Sequence, residues 1–165
     1  MYKRDIYTIL SNEPLTPAVY RMVLEGDTQY ITRSGQFINI ELEGKFLRRP
    51  ISVSDYDATT VTIIYKVVGS GTEQMRDMVA GEKLDILTGL GNGFNTENEA
   101  KSPLLVGGGV GVPPLYNLAK RLLAEGKKPM VILGFNTKSE IFYEEELKAL
   151  GVDVDCSTAD GSYGV

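Results

Sequence analysis

The stretch Leu104-Leu105-Val106-Gly107-Gly108-Gly109-Val110-Gly111-Val112-Pro113-Pro114 is a short apolar run that ends in four glycines within five positions. A buried parallel strand of this length, followed by glycines and a helix, outlines a nucleotide-phosphate turn. Glycines let the backbone approach a pyrophosphate without a Cβ in the way, and the helix start presents unpaired N–H groups. The dinucleotide fingerprint G-x-G-x-x-G would need glycine where Val112 stands, and the Gly-Lys-Ser/Thr ending of a phosphate loop is absent, so this is a different turn. Pro113 and Pro114 suit the first turn of a helix, where a missing N–H costs nothing. A tight strand-to-helix connection without a ligand is the alternative reading.

On the C-terminal side, helix-like residues 115–125, strand-like 130–135, helix-like 140–150 and strand-like 152–157 alternate as βαβαβ units do. On the N-terminal side, a polar stretch at residues 95–102 separates this pattern from β-compatible alternation. There, Ile38, Ile40 and Leu42 share one face, as do Val61, Ile63, Tyr65 and Val67. Further strands are expected at residues 3–10, 19–25, 51–55 and 83–87, with one helix at 72–79, Thr72 as its N-cap and Gly81 closing it. The fold expected is a small antiparallel Greek-key β-barrel over residues 1–99, followed by an incomplete doubly wound parallel α/β domain over residues 100–165. Only three strand-like segments follow Ala100 where a doubly wound domain usually has five or more, which predicts a C-terminally shortened chain.

At 165 residues the chain can bury roughly 70% of the surface its unfolded form exposes, enough for a core without disulfides. A net charge of −5 without a basic run argues against nucleic acid or an anionic membrane as partner. No stretch approaches the roughly 20 apolar residues of a membrane span, and no secretory core follows Met1, so a cytoplasmic protein is expected. One cysteine, Cys156, excludes an intrachain disulfide and cannot hold an iron–sulfur cluster alone; in the last strand it reads as a small buried residue. With no histidine, triad hydrolysis and histidine-ligated metals are excluded, no metal ligand set stands out, and the chemistry is expected to belong to a bound cofactor. The run Glu144, Glu145, Glu146 is read as a solvated helix face.

Three further segments carry chemistry. In Arg49-Pro50-Ile51-Ser52, the guanidinium can bond phosphate with charge assistance, and Ser52 can place a hydroxyl and an N–H near a flat ring; a surface arginine on an edge strand is the alternative. Ile64-Tyr65-Lys66 runs into Gly69, Gly71 and Thr72, offering an aromatic to stack on a ring and then a helix start for an anion. Tyr65 as ordinary barrel core is the competing reading, and Glu73 competes with an incoming phosphate. Gly89, Gly91 and Gly93, before Phe94, permit a turn beneath a planar ligand or a close junction between domains.

These motifs, in this order, resemble the ferredoxin–NAD(P)+ reductase superfamily of flavoproteins. Within it, residues 107–120 are similar to the electron-transfer subunits of NAD-dependent dihydroorotate dehydrogenases. The resemblance implies FAD on the barrel, with Arg49, Gly71 and Thr72 at its pyrophosphate, Ser52 at the reactive edge of the flavin, and Pro50, Ile51, Ile64, Tyr65 and Lys66 lining it. It also implies NAD as substrate at Gly107, Gly108, Gly109, Val110 and Gly111, with Asp160, Gly161 and Ser162 as a second nucleotide-facing loop. Hydride transfer between nicotinamide and flavin is implied. So is a relay through a [2Fe-2S] cluster, held by C-terminal cysteines in the full-length form, to an FMN-containing catalytic subunit in a hetero-oligomer serving pyrimidine biosynthesis. This chain lacks that cysteine cluster. A stand-alone NAD(P)H:flavin or ferredoxin reductase is the rival of the same fold, and a binding module without redox chemistry the rival of another class.

Overall fold

The computed structural model describes residues 1–98 and 100–164; the boundary expected at 99/100 falls at Glu99, outside them. Six strands close an antiparallel barrel in the order β1-β2-β5-β4-β3-β6, the Greek-key arrangement expected. They are β1 (Lys3–Pro14), β2 (Val19–Glu25), β3 (Phe37–Ile40), β4 (Arg49–Tyr56), β5 (Thr60–Lys66) and β6 (Lys83–Leu90). Alternate residues point inward and make the core: Tyr7 and Ile9, Met22 and Leu24, Ile38 and Ile40, Val61, Ile63 and Tyr65, Leu84 and Ile86 are all buried. Helix α1 (Ser70–Arg76) adds Met75 to this core.

Two local expectations are corrected. β1 runs on to Pro14 instead of ending near Leu10, through a bulge between Ile9 and Ser11. Here Asn12 does not act as a turn residue: its amide donates to the Met75 and Met78 carbonyls at 2.8 and 2.9 Å, satisfying the end of α1. The helix itself starts earlier than Thr72, with Gly69 at the N-cap and Thr72 three residues in. The Thr72 hydroxyl accepts the Val68 N–H at 2.8 Å and the Gly69 N–H at 3.2 Å and donates to the Gly69 carbonyl, so it closes the turn from inside.

The second unit is a three-stranded parallel sheet, β7 (Leu104–Gly108), β8 (Met130–Phe135) and β9 (Asp153–Thr158), with α2 (Pro113–Ala124) and α3 (Glu144–Ala149) in the crossovers. The strands advance in one direction, β7-β8-β9, as one half of a doubly wound sheet does. Leu105, Val131, Leu133 and Cys156 pack against Leu115, Leu118, Ala119 and Leu122 of α2 and Leu147 of α3, and Val19 and Ile64 of the barrel join this core. Burial raises the pKa of the Cys156 thiol, as befits a packing residue.

The expected helix 140–150 is interrupted. A 3-10 turn at Lys138–Glu140 precedes an extended break, and α3 begins only after Tyr143, whose φ of 66° is left-handed. The break turns Phe142 and Tyr143 inward, where their rings meet Phe135 and Tyr116 edge-on at 5.3 and 5.1 Å. Nor is the acidic run wholly solvated: Glu144 is buried and accepts from Lys148 Nζ at 2.9 Å and from the Tyr163 hydroxyl at 3.2 Å.

An ion pair at the start of β1 makes stability depend on pH. Lys3 Nζ donates to Asp27 Oδ2 at 2.7 Å, and this bond, with those from Gln29, lowers the Asp27 carboxyl from 3.8 to about 2. A carboxyl depressed in the folded state stabilises fully above its unfolded pKa and loses that contribution as pH falls through the folded one. The chain therefore loses stability between about pH 4 and pH 2, and Lys3→Met flattens that limb in acid denaturation followed by circular dichroism. An unchanged acid limb in Lys3→Met contradicts the assignment.

Candidate functional site: a barrel cleft beside a crevice at the parallel sheet

Adjacent arginines open β4, and the fold treats them differently. Arg48 is engaged by the barrel: its guanidinium bonds Asp85 Oδ1 at 2.7 Å, the carbonyls of Asn39 and Asp85, and Glu41. Arg49, the first residue of β4, makes no ion pair among the described residues and donates only to the Leu47 carbonyl. A half-buried guanidinium without an acidic partner is a group ready for an external anion.

Arg49 lies against the start of α1. A Cβ on Gly71 would stand 2.3 Å from Arg49 Nε, so glycine is what allows the guanidinium to rest on the helix. Glu73 is the first residue whose amide bonds a carbonyl behind it, Gly69, so the amides of Ser70, Gly71 and Thr72 precede the helical ladder. The Gly71 neighbour is the end of a flexible side chain, which sets an expectation. Gly71→Ala pushes the guanidinium aside and weakens anion binding about tenfold, with a loss of stability below about 1 kcal/mol. Flavin titration and chemical denaturation of the same variant check both halves.

From Arg49 a cleft of about 360 Å³ extends along β4 and β5, lined by Pro50, Ile51, Ser52, Ile64, Tyr65, Lys66, Val68, Thr72 and Val110. Of the residues assigned to the flavin from sequence, all but Gly71 line it, and Gly71 supports Arg49 from behind. The walls are apolar at Val68 and Val110, which are 77% and 48% exposed. Val68 was not among the residues expected in a site, and Val110, expected with a nucleotide, lines this cleft because the turn after β7 reaches over to the barrel.

Tyr65 is not a free platform. Its ring stacks with Tyr20 at 6.0 Å, its hydroxyl donates to Asn12 Oδ1 at 2.9 Å, and burial pushes its phenol up to about 12. It stiffens the cleft floor from the barrel core.

A second crevice, of about 370 Å³, lies at the carboxyl ends of the parallel strands, where open α/β sheets bind ligands. Gly109, Gly134, Asn136, Glu140, Ser157, Thr158 and Ala159 line it, and Lys66 borders both hollows. Of the five residues expected there from the glycine turn, only Gly109 faces the crevice. Gly107 is packed under α2, where a Cβ would meet Leu115 Cδ1 at 2.7 Å; Gly108 ends β7, and Gly111 ends a 3-10 turn. Asp160, Gly161 and Ser162 form a turn bonded to itself, Asp160 Oδ1 accepting from Ser162 N at 3.0 Å and Ser162 Oγ at 2.6 Å, so the crevice wall is the preceding Ser157, Thr158 and Ala159. Ser162 Oγ in turn accepts the Lys138 N–H at 2.9 Å.

The glycines before Phe94 let the chain pass close over the barrel's own segments. A Cβ on Gly93 would meet Arg33 Cβ at 2.6 Å and the Ser34 carbonyl at 2.7 Å, and Phe94 N–H donates to that carbonyl. A larger hollow of about 440 Å³ carries four carboxylates, Glu41, Glu43, Asp77 and Glu82, against one cation, Lys83, an acidic lining that disfavours phosphates. Among the described residues no cluster of three or more His, Cys, Asp or Glu could hold a metal ion, and no helix is long and apolar enough to cross a membrane.

Comparison with known proteins bears on the clefts. No family model matches the chain. The electron transfer subunit of dihydroorotate dehydrogenase B (NAD(+)) from Enterococcus faecalis V583 is 41% identical over 98% of the chain, and that from Fusobacterium nucleatum subsp. nucleatum is 44% identical over 95%. The chain is thus similar over nearly its whole length to these electron transfer subunits, and it spans 64% and 63% of the length of those two relatives. Among solved structures, an NADH-dependent reduced ferredoxin-NADP oxidoreductase studied for flavin-based electron bifurcation superposes with a TM-score of 0.86 at 30% identity, covering 98% of this chain and 59% of that one. Phthalate dioxygenase reductase superposes at 0.81 with 20% identity over 96% of this chain and 52% of its own, a likeness of fold. The barrel and parallel sheet thus share the fold of these reductases.

Proposed function

We propose that the chain is the FAD-binding part of an electron-transfer subunit that exchanges electrons with NAD(H) and serves the FMN-containing catalytic subunit of a dihydroorotate dehydrogenase in cytoplasmic pyrimidine biosynthesis. The observation that carries this reading is the coincidence of an unpaired guanidinium, a glycine that admits it to a helix start, and an apolar-walled cleft leading away from both. In this reading residues 1–99 form the FAD domain and residues 100–165 part of the NAD domain. FAD, when bound, supplies two-electron exchange with nicotinamide and one-electron exchange with a further carrier.

The chain's own residues do the positioning. Arg49 neutralises the pyrophosphate, assisted by the amides of Gly71 and Thr72. Pro50, Ile51 and Ile64 exclude water along the ring, while Ser52 offers its hydroxyl and N–H to the polar edge. Gly109 gives the NAD backbone room at the crevice, and Ser157 and Thr158 offer hydroxyls to its ribose. A [2Fe-2S] cluster does not fit this chain, whose single cysteine is buried in β9; the reading assigns it to longer family members. Hetero-oligomer assembly with the catalytic subunit belongs to the same reading.

Anaerobic mixing of the FAD-loaded chain with NADH tests the exchange. Bleaching of the flavin band within seconds supports it, and a flavin band that persists at millimolar NADH opposes it.

A further inference from the structure

The two clefts share Lys66 at their border, and a polar contact that lines neither of them joins the barrel to α2. β4 carries Arg49 and Ser52 at its cleft end and Asp55 three residues further on, and α2 follows directly on the glycine turn and carries Asn117 and Lys120. Asp55 Oδ1 accepts from Asn117 Nδ2 at 2.9 Å, and both Asp55 oxygens accept from Lys120 Nζ, at 2.9 and 2.7 Å. The other end of the Asn117 amide is held by the barrel too: Ser34 Oγ, itself buried, donates to Asn117 Oδ1 at 2.5 Å. Lys120 is steadied over the Tyr116 ring at 5.6 Å.

The barrel gives up regularity to make this contact. The β4–β5 ladder slips between Val53 and Asp55, leaving Val53 and Ser54 both buried in succession and turning Asp55 out toward α2. Among the described residues the buried Ser54 hydroxyl has no partner, a local defect that a plain barrel strand would not carry. Departures of this kind gather where a strand serves something beyond its own packing.

We infer that Asp55 is a positioning residue, a latch that fixes α2 against β4 and thereby sets the spacing and angle between the flavin cleft and the nucleotide crevice. The inference rests on the proposed reading of those clefts. Asp55 touches neither ligand. Its effect passes through two rigid elements, β4 on one side and α2 on the other. Reaction between two bound groups is steep in their separation, so releasing the latch slows transfer without weakening either binding step.

The test compares the parent chain with Asp55→Ala and with the charge-swapped pair Asp55→Lys with Lys120→Asp, whose opposite charges can re-form the bridge while the Asn117 amide turns over. Asp55→Ala is expected to keep the parent's FAD affinity and half-saturating NADH concentration while single-turnover flavin reduction falls about tenfold to a hundredfold. The swapped pair should recover most of the rate. In the same variants without any ligand, backbone hydrogen exchange in α2 should quicken about tenfold in Asp55→Ala and recover in the swap, with β1 and β2 unchanged. An Asp55→Ala chain that is reduced at the parent's rate, or that exchanges in α2 as the parent does, overturns the latch. A parent that takes up no flavin defeats the functional reading instead, and the exchange comparison still decides whether the latch holds α2.

Discussion

Arg49→Ala weakens FAD binding about tenfold to a hundredfold, the factor corresponding to the roughly 1.5–3 kcal/mol of a charge-assisted bond to phosphate. The guanidinium has no acidic partner among the described residues, so its removal leaves no buried carboxylate behind, and fold stability changes by less than about 1 kcal/mol. Arg48→Ala is the control. Its guanidinium is bonded to Asp85, Glu41 and two carbonyls, so that substitution lowers stability and leaves FAD affinity near the parent value. Flavin titration and urea denaturation of both variants check the pair; an Arg48→Ala chain that loses flavin while Arg49→Ala retains it contradicts the assignment of the two residues.

Leu133→Ala destabilises the chain by about 2–5 kcal/mol, the usual range for emptying a fully buried leucine site. Leu133 is 0% exposed in the central strand of the parallel sheet, between β7 and β9 and under the helices, where no single neighbour can close the void. The barrel has a separate core, from Tyr7 to Ile86, that does not include Leu133. Under partial denaturation the variant should therefore lose the parallel sheet and its response to NADH before it loses bound flavin. Urea titration read by circular dichroism and by flavin fluorescence shows the order; a loss under about 1 kcal/mol, or flavin leaving first, contradicts the two-core description.

What the sequence disclosed follows the strength of its periodicities. β2 and β8 were legible to the residue because alternation or a short apolar run was bounded by clear punctuation. The late start of α3 was hidden, since its cause is the tertiary demand that Phe142 and Tyr143 reach Phe135 and Tyr116, which no local pattern records. Thr72 looked like an N-cap because its chemistry suits one; its place three residues inside depends on Gly69, whose lack of a side chain left the hydroxyl to close the turn from the other direction.

The candidate site divides in the same way. The motif around Arg49 and the one around Ile64 lie on neighbouring antiparallel strands, so pairing alone brings them together, and their common cleft was foreseeable. That the barrel engages Arg48 rather than Arg49 depends on the long-range approach of Asp85 and Glu41, which no local pattern records. At the crevice of the parallel sheet, only Gly109 of the five glycine-turn residues named from sequence is a lining residue. Asp160 and Ser162 satisfy each other in a turn, and Gly107 is required by the approach of Leu115, a packing reason that a glycine-rich string cannot distinguish from a ligand's. The Asp55 contact left no motif at all, because it joins residues on opposite sides of the polar junction.

Parallel titrations of the flavin-free chain with FAD and with riboflavin test most directly whether the barrel cleft grips the pyrophosphate of a flavin dinucleotide. The prediction is one FAD per chain, bound at least about tenfold more tightly than riboflavin because only FAD presents phosphates to Arg49 and the start of α1. Equal affinity for the two, or no uptake of either, contradicts it.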